Sequence, residues 1–481
     1  MMRRVGPHLV VIDKAPPMRV PARIYASDRI QIEAEAAAQL AKAASLPGVA
    51  AALATPDIHV GYGVPIGAVV AMEDAVIPAA VGYDINCGMR LLTTPLSAGE
   101  IPLETLAREI HAGIPLGEGK RNVSFRGDDL RRILSRGIEG FLEVASERRF
   151  GRDHPALADG LDIDIERRIL ERVEDRGSLD GAPEDMPARA AERGRDQFGT
   201  LGGGNHFVEI QRVSEVYDDT LAAAWGVRAG QAVIMLHSGS RGLGHEIAGH
   251  FMKLAAGYDN ERGLEHPNRD LAWLPIDGPE GLAFLGAMRA AANFAYVNRH
   301  VMALIVRRAL RNVTGAAAHT VYDVTHNMAK IESHGGRTLV VHRKGATRAF
   351  AGERMRGTPF EHTGQPVLIP GSMGTSSYLL VGEPRNDETL CSVNHGAGRV
   401  MSRTAAAGKP RGRRAGRGGA IGDDDFRRSM EGILLVAESW RDAREEAPAA
   451  YKDIDAVIET VTGAGLARKV ARMRPLAVLK G

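Results

Sequence analysis

Cysteine is nearly absent from this chain: Cys87 and Cys391 are the only two in 481 residues. They could in principle pair, but a chain this long with no export signal is not a disulfide scaffold, so no structural bridge is expected. Aromatics are also scarce, at 5%. That limits base-stacking platforms, and neither an RRM nor a KH signature occurs. No stretch reaches the roughly 18 apolar residues of a membrane helix, so no membrane partner is expected. The opening MMRRVGPHLVVIDKAPP is basic, yet its apolar run ends at Asp13, which makes a poor secretory signal. A cytoplasmic location is therefore expected. Net charge is only +2 with 25% charged residues, which excludes a basic tail protein and an acidic disordered one. Lysine is scarce too. Ten of the 61 basic residues are Lys and 51 are Arg, a bias that suits phosphate recognition and that GC-rich coding also produces.

What is present begins with size. A chain of 481 residues that is 44% hydrophobic can bury a large core. Helices are expected at 30–46, from Pro102 through PLETLAREIHAGI, over about 128–176, at 278–313 as one or two long helices, and near 424–445 and 453–464. Strands are expected at 231–236, 338–342, 366–369 and 378–381. The Pro- and Gly-rich stretch 177–198 reads as a surface excursion, and 403–419 (RTAAAGKPRGRRAGRGG) as a basic loop. Strands and helices mix without βαβ alternation, which argues for an α+β fold. Candidate ligands run from 84 to 395, so one domain spanning 1–481 is expected rather than detachable modules.

The densest chemistry lies in VGYDINCGMR (81–90). A carboxylate, Asp84, and a thiol, Cys87, share a glycine-flanked turn. They suit a borderline-soft divalent ion, or a turn cap beside a small buried hydrophobe. In GTLGGGNHFVEI (199–210), three glycines precede Asn205, His206 and Glu209. His206 can ligate while Asn205 donates to phosphate, or the run is a tight turn. His237 follows the strand 231–236, with Arg241 close behind in HSGSRG, whereas His245 and His250 read as structural. His326 in YDVTHNMAK is a ligand candidate or a satisfied core imidazole. His342, Arg343, Lys344 and Arg348 around Gly345 could cradle phosphate. So could Gly371, Ser372, Gly374, Thr375 and Ser376, unless they form an ordinary turn. His395 precedes Gly396, Ala397, Gly398 and Arg399. Its small neighbours leave the imidazole open as a covalent nucleophile, or as another ligand.

Taken together, PDIHVGYGVPIGAVVA, VGYDINCGMR, GGGNHF, HSGSRG, KGATRA, PGSMGTSSYLL, HGAGRVMSR and the C-terminal AYKDID resemble the RtcB family of RNA-splicing ligases, from about residue 50 to Gly481. The resemblance implies one large mixed-sheet domain of the RtcB-like fold with peripheral helices. It implies a GTP- and Mn-dependent ligase that joins RNA 3′-phosphate or 2′,3′-cyclic phosphate ends to 5′-hydroxyl ends, in tRNA splicing or RNA repair. On that reading Asp84, Cys87, His206, His237 and His326 hold two Mn²⁺ ions with Cys87 bridging, and His395 becomes guanylylated. Asn205, Glu209, Ser372, Gly396, Ala397, Gly398, Arg399 and Lys480 contact GTP, and Arg241 contacts RNA phosphate or GTP. The resemblance also implies a monomer and allows an archease-like activator. The competing readings are a metal-dependent cyclic phosphodiesterase, which needs no His395, Glu209 or Lys480, and a non-catalytic RNA-binding accessory protein.

Overall fold

Apolar residues fill nearly every position of QAVIML (231–236), the pattern of a strand covered on both faces. In the computed structural model, which describes residues 1–147, 157, 161–263, 269–408 and 419–481, that run is such a strand. In chain order the strands are β1 (Met2–Arg4), β2 (Leu9–Ile12), β3 (Ala22–Tyr25), β4 (Val49–His59), β5 (Ile66–Met72), β6 (Ala75–Val76), β7 (Gly88–Ser97), β8 (Phe207–Val216), β9 (Gln231–Ser238), β10 (Leu274–Pro275), β11 (His319–His334), β12 (Arg337–Arg348), β13 (Pro366–Ile369), β14 (Ser377–Gly382), β15 (Ser392–Asn394), β16 (Leu434–Ala437) and β17 (Ala467–Lys480). Fifteen of them form one mixed sheet, in the order β1-β2-β3-β4-β5-β12-β11-β7-β9-β8-β17-β14-β13 with β15 beside β12 and β16 beside β17; β6 and β10 pair separately. This is the expected α+β architecture of a large mixed sheet with peripheral helices.

The two-residue period of a strand sorts β9 between two cores. Ala232, Ile234 and Leu236 enter the larger one, and Val233 and Met235 the other. The larger core lies under the helix Pro279–Thr314. This single 36-residue helix begins on a proline and ends at Gly315 in the left-handed region (φ 74°). It packs on the helices Gly127–Glu147, Leu103–Gly113 and Arg241–Glu261. Ala-rich faces let these helices approach closely, and the middle of the long helix is buried all round.

Several sequence expectations change. The stretch 128–176 is not one helix: it contains Gly127–Glu147, Ile163–Ile169 and short 3-10 turns. The stretch 424–445 is two helices, Asp423–Ser429 and Trp440–Glu445. Between them β16 adds in parallel to β17, because the apolar run after Gly432 has strand rather than helix character. The 14-residue β17 was not anticipated. Its Arg and Lys residues and Pro475 disguise it, and the proline sits at a register shift where a missing N–H costs no ladder bond. Residues 177–198 carry short helical turns, and Asn293 of the long helix exchanges hydrogen bonds with Leu179. Of the basic loop 403–419, residues 409–418 lie outside the described residues, and 403–407 form a short helix. Both cysteines are free and buried. No helix among the described residues is long and apolar enough to cross a membrane.

Candidate active site

Strand parity and register assemble the site. Cys87 shares its face with Met89 and Leu91, His237 with Val233 and Met235, and His326 with Tyr322 and Val324. All of these apolar residues belong to the second core. The strands β11, β7, β9, β8 and β17 are successive antiparallel neighbours. Their pairing aligns Gly88 with Ser238, Phe207 with His237, Val478 with Glu209 and Lys480 with Phe207. Five chain segments, from Cys87 to Lys480, therefore deliver Cys87, His237, His326, Glu209 and Lys480 to one end of one sheet face, with His206 on the residue just ahead of β8. His326 aligns with Thr347, and the bulge that follows it leaves Asn327, at φ 62°, out of the ladder; the His326 N–H donates to the Cys87 carbonyl at 2.8 Å.

Cys87 Sγ lies 3.3 Å from His206 Nε2 and 3.2 Å from His237 Nε2, and Asp84 Oδ2 lies 2.8 Å from His206 Nε2. The His237 and His326 rings are 5.3 Å apart. Gly239 leaves no room for a Cβ beside the Asp84 carboxylate, which also accepts from the Ser240 N–H at 3.0 Å. Burial alone would raise the Asp84 pKa, but His206 and Arg241 outweigh it and hold the carboxyl well below its usual range. Burial, then Asp84, pushes the Cys87 thiol up. Burial pushes His237 and His326 down, so both are neutral imidazoles. The Nδ1 atoms of His237 and His326 are buried without a hydrogen-bond partner.

That donor set fits borderline-soft divalent cations. The carboxylate is ionised, the imidazoles are neutral, and a cation would draw the proton from a thiol that burial otherwise keeps protonated. Cys87, His206 and His237 each place one ligand atom within 4.8 Å of the others, so the thiol sits among donors that a cation could share.

These side chains open into a cavity of about 720 Å³. Asp84, Cys87, Asn205, Glu209, His237, His326, Ser372, His395, Gly396, Ala397, Gly398, Arg399 and Lys480 all line it. His206 stands behind Asp84 and Cys87. His395 follows β15, its ring 4.7 Å from that of His326. Its Nδ1 meets Asp57 Oδ2 at 2.8 Å, which leaves Nε2 as the nitrogen free to react. Asp57 is fully buried and also accepts from Thr55 Oγ1 at 2.5 Å. Burial would raise its pKa, but the His395 and Thr55 hydrogen bonds prevail and keep it low. Gly398, at φ 77°, lets the chain pass against the Asp57 backbone where a Cβ would collide. Burial pushes Glu209 up to about 8 and Lys480 down to about 8. Lys480 Nζ donates to the His206 carbonyl at 3.0 Å.

Other expectations resolve differently. Arg241 stands behind Asp84, within 3.4 Å of Thr200 Oγ1, and does not line the cavity. Arg399 lines the cavity, but its guanidinium is committed to Glu446 at 2.9 Å and lies over Tyr451. The cradle read into 342–348 does not form. His342 holds the Val70 carbonyl, Arg343 pairs with Glu332, Lys344 donates to the Ala79 carbonyl and Arg348 pairs with Asp175. Each of these partners lies more than 150 residues away or across a hairpin, so sequence adjacency did not expose them.

Sequence reasoning about single residues missed Asp57, whose only signal was its place in PDIHVGYG. It also missed Asn298 and Arg299 of the long helix. Asn298 accepts from the Gly199 and Thr200 N–H groups and donates to the Thr200 and Gly239 carbonyls. Arg299 pairs with buried Asp323 and donates to the Asn86 and Ser238 carbonyls, each next to a candidate ligand.

Comparison with known proteins adds independent findings. The family model described as tRNA-splicing ligase RtcB matches residues 39–481. The tRNA-splicing ligase RtcB of Archaeoglobus fulgidus is 41% identical over 97% of this chain and 95% of its own length. That of Thermococcus kodakarensis is 40% identical over 96% and 95%. The RNA-splicing ligase RtcB of Mycobacterium tuberculosis is 42% identical over 92% and 100%.

Proposed function

The chain belongs to the tRNA-splicing ligase RtcB family and is an RNA ligase, and from that premise we propose that it seals RNA through a guanylylated His395, with GTP as co-substrate and two Mn²⁺ ions. The observation that carries this reading is the single cavity shared by His395 and the candidate ligands Cys87, His237 and His326. Its substrates are RNA 3′-phosphate or 2′,3′-cyclic phosphate ends and 5′-hydroxyl ends, in tRNA splicing or repair.

Asp57 fixes His395 in the tautomer with hydrogen on Nδ1, so the Nε2 lone pair attacks the GTP α-phosphorus. A P–N bond forms, the α–β phosphoanhydride bond breaks, and pyrophosphate leaves. As the imidazole gains positive charge, the buried Asp57 carboxylate stabilises it. An RNA 3′-phosphate oxygen then takes the guanylyl group and releases His395; a cyclic end is first hydrolysed to the 3′-phosphate. The 5′-hydroxyl displaces GMP and closes the strand. Glu209 accepts from the guanine N–H groups, Lys480 contacts the base, and Asn205 donates to the triphosphate. Asp84, Cys87 and His206 would hold one ion and Cys87, His237 and His326 the other, which together supply charge neutralisation for in-line phosphoryl transfer. The donor set, with His206 Nε2 and His237 Nε2 both against the Cys87 thiol, supports this assignment.

Incubation with α-labelled GTP and Mn²⁺ should yield an acid-labile protein–GMP adduct. His395→Ala should abolish it without altering the fold. Asp57→Asn should slow adduct formation about 10²–10³-fold while GTP binding changes little, since Asp57 positions the nucleophile and touches no ligand. An adduct that survives His395→Ala would move the nucleophile elsewhere.

A further inference from the structure

Outside the cavity, three donor side chains from separate segments meet on the flank of β12. They are His334 at the end of β11, Asp387 in the short turn Pro384–Thr389, and Cys391 just before β15. One ligand atom from each lies within 4.8 Å of the others. His334 is 7% exposed and Cys391 1%. We propose that His334, Asp387 and Cys391 form a further metal site, open at a fourth position, for a borderline divalent cation such as Zn²⁺.

The chemistry and the surroundings both support it. Thiolate, imidazole and carboxylate with one open position is a familiar zinc donor set. His334 Nε2 is 2.9 Å from Glu332 Oε2. Arg343 binds both oxygens of Glu332 at 2.8 Å and, against the carboxylate's burial, keeps it ionised. The hydrogen of His334 is thereby held on Nε2, and the Nδ1 lone pair is left for the cluster. A carboxylate that orients a ligating imidazole through its far nitrogen is the usual support of a metal-bound histidine. The Cys391 thiol donates to Asp387 Oδ1 at 3.1 Å, so a cation would take the place of that proton, which passes to solvent. Donors around one tetrahedral ion sit about 3.5 Å apart, and Asp387, whose side chain is 71% exposed, is free to close the difference.

One group opposes the cation. Arg354 approaches His334 Nδ1 at 3.5 Å and Asp387 at 3.9 Å, while donating to the Ser333 carbonyl. It is about one-third exposed and can withdraw to solvent. The consequence lies in the chain path. Cys391 enters β15, and β15 ends one residue before His395, so an ion here would tie the segment that carries His395 to the tip of the β11–β12 hairpin.

Because the chain has only two cysteines, the test is clean. In the full-length Cys87→Ser protein any thiolate-to-cobalt charge-transfer band must come from Cys391. Titration with Co²⁺ should produce that band and saturate it, and Zn²⁺ should bleach it. Adding His334→Ala should abolish it, and adding Asp387→Ala, an exposed and fold-safe change, should weaken Co²⁺ binding about tenfold. Adding Arg354→Gln should tighten it several-fold. No band in Cys87→Ser, or a band indifferent to both His334→Ala and Asp387→Ala, would overturn the site.

Discussion

Glu209 is held at a cost to the fold. In the unfolded chain its carboxyl ionises near the ordinary value of 4.5, but burial delays ionisation in the folded protein to about 8. The unfolded state therefore loses its proton first, and stability drains away as pH rises from 4.5 to 8 and levels off above. Gln does not titrate and can still accept from Gln211, which now bonds Glu209 at 2.6 Å. The Tm of Glu209→Gln relative to the parent should therefore rise between pH 5 and pH 8, by a few degrees. Under the proposed function the same substitution should weaken GTP binding at neutral pH by roughly 2–10-fold, the net worth of an ordinary hydrogen bond. Thermal melts at three pH values and a nucleotide titration measure both. A variant that melts lower than the parent at pH 8 would contradict the assignment of strain to this carboxylate.

Among elements, the helix Pro279–Thr314 matters more to the site than any residue lining the cavity suggests. Asn298 and Arg299 sit mid-helix with no exposure. They satisfy backbone groups of the 199–200 turn, Asn86 and the end of β9, which are the three stretches adjoining His206, Cys87 and His237. Asn298→Ala strips partners from several buried backbone groups, at roughly 1–3 kcal/mol for each group left unsatisfied. The expected outcome is a lower Tm by several degrees and a weakened Mn²⁺-induced shift, both read from melts with and without metal. An unchanged metal response would mean that the turn and the strand hold their places without the helix. In the sequence this stretch reads only as one or two long helices over 278–313, and periodicity gives no hint that two of its polar residues face inward toward segments distant in the chain.

At the scale of the whole molecule, the site draws on strands from both ends of the chain. β17, at the C-terminus, lies between β8 and β14 and delivers Lys480 beside Glu209, while β4, near the start, delivers Asp57 to His395. Nothing in this arrangement is detachable, so unfolding should be a single cooperative transition. Metal that binds only the folded state stabilises it by RT ln(1 + [L]/Kd), about 2.7 kcal/mol at 100 times Kd. Calorimetry should show one transition that Mn²⁺ moves upward as a unit, and His237→Ala should abolish most of that shift. Two transitions, only one of them moved by metal, would refute a site built from the entire sheet.

The residues themselves carried much of this. Thiol, carboxylate and imidazoles in glycine-rich turns singled out the residues that converge near the cavity, and the two-residue period of QAVIML placed His237 on the face of Val233 and Met235. Those are local properties, readable from a few neighbours. Which strand lies beside which is not local: register between β7, β9, β8, β11 and β17 depends on burying both faces of one sheet at once. Only that pairing decided that His395 would find Asp57, that Arg399 would be taken by Glu446, and that Arg343 and Arg348 would be spent on buried carboxylates instead of phosphate.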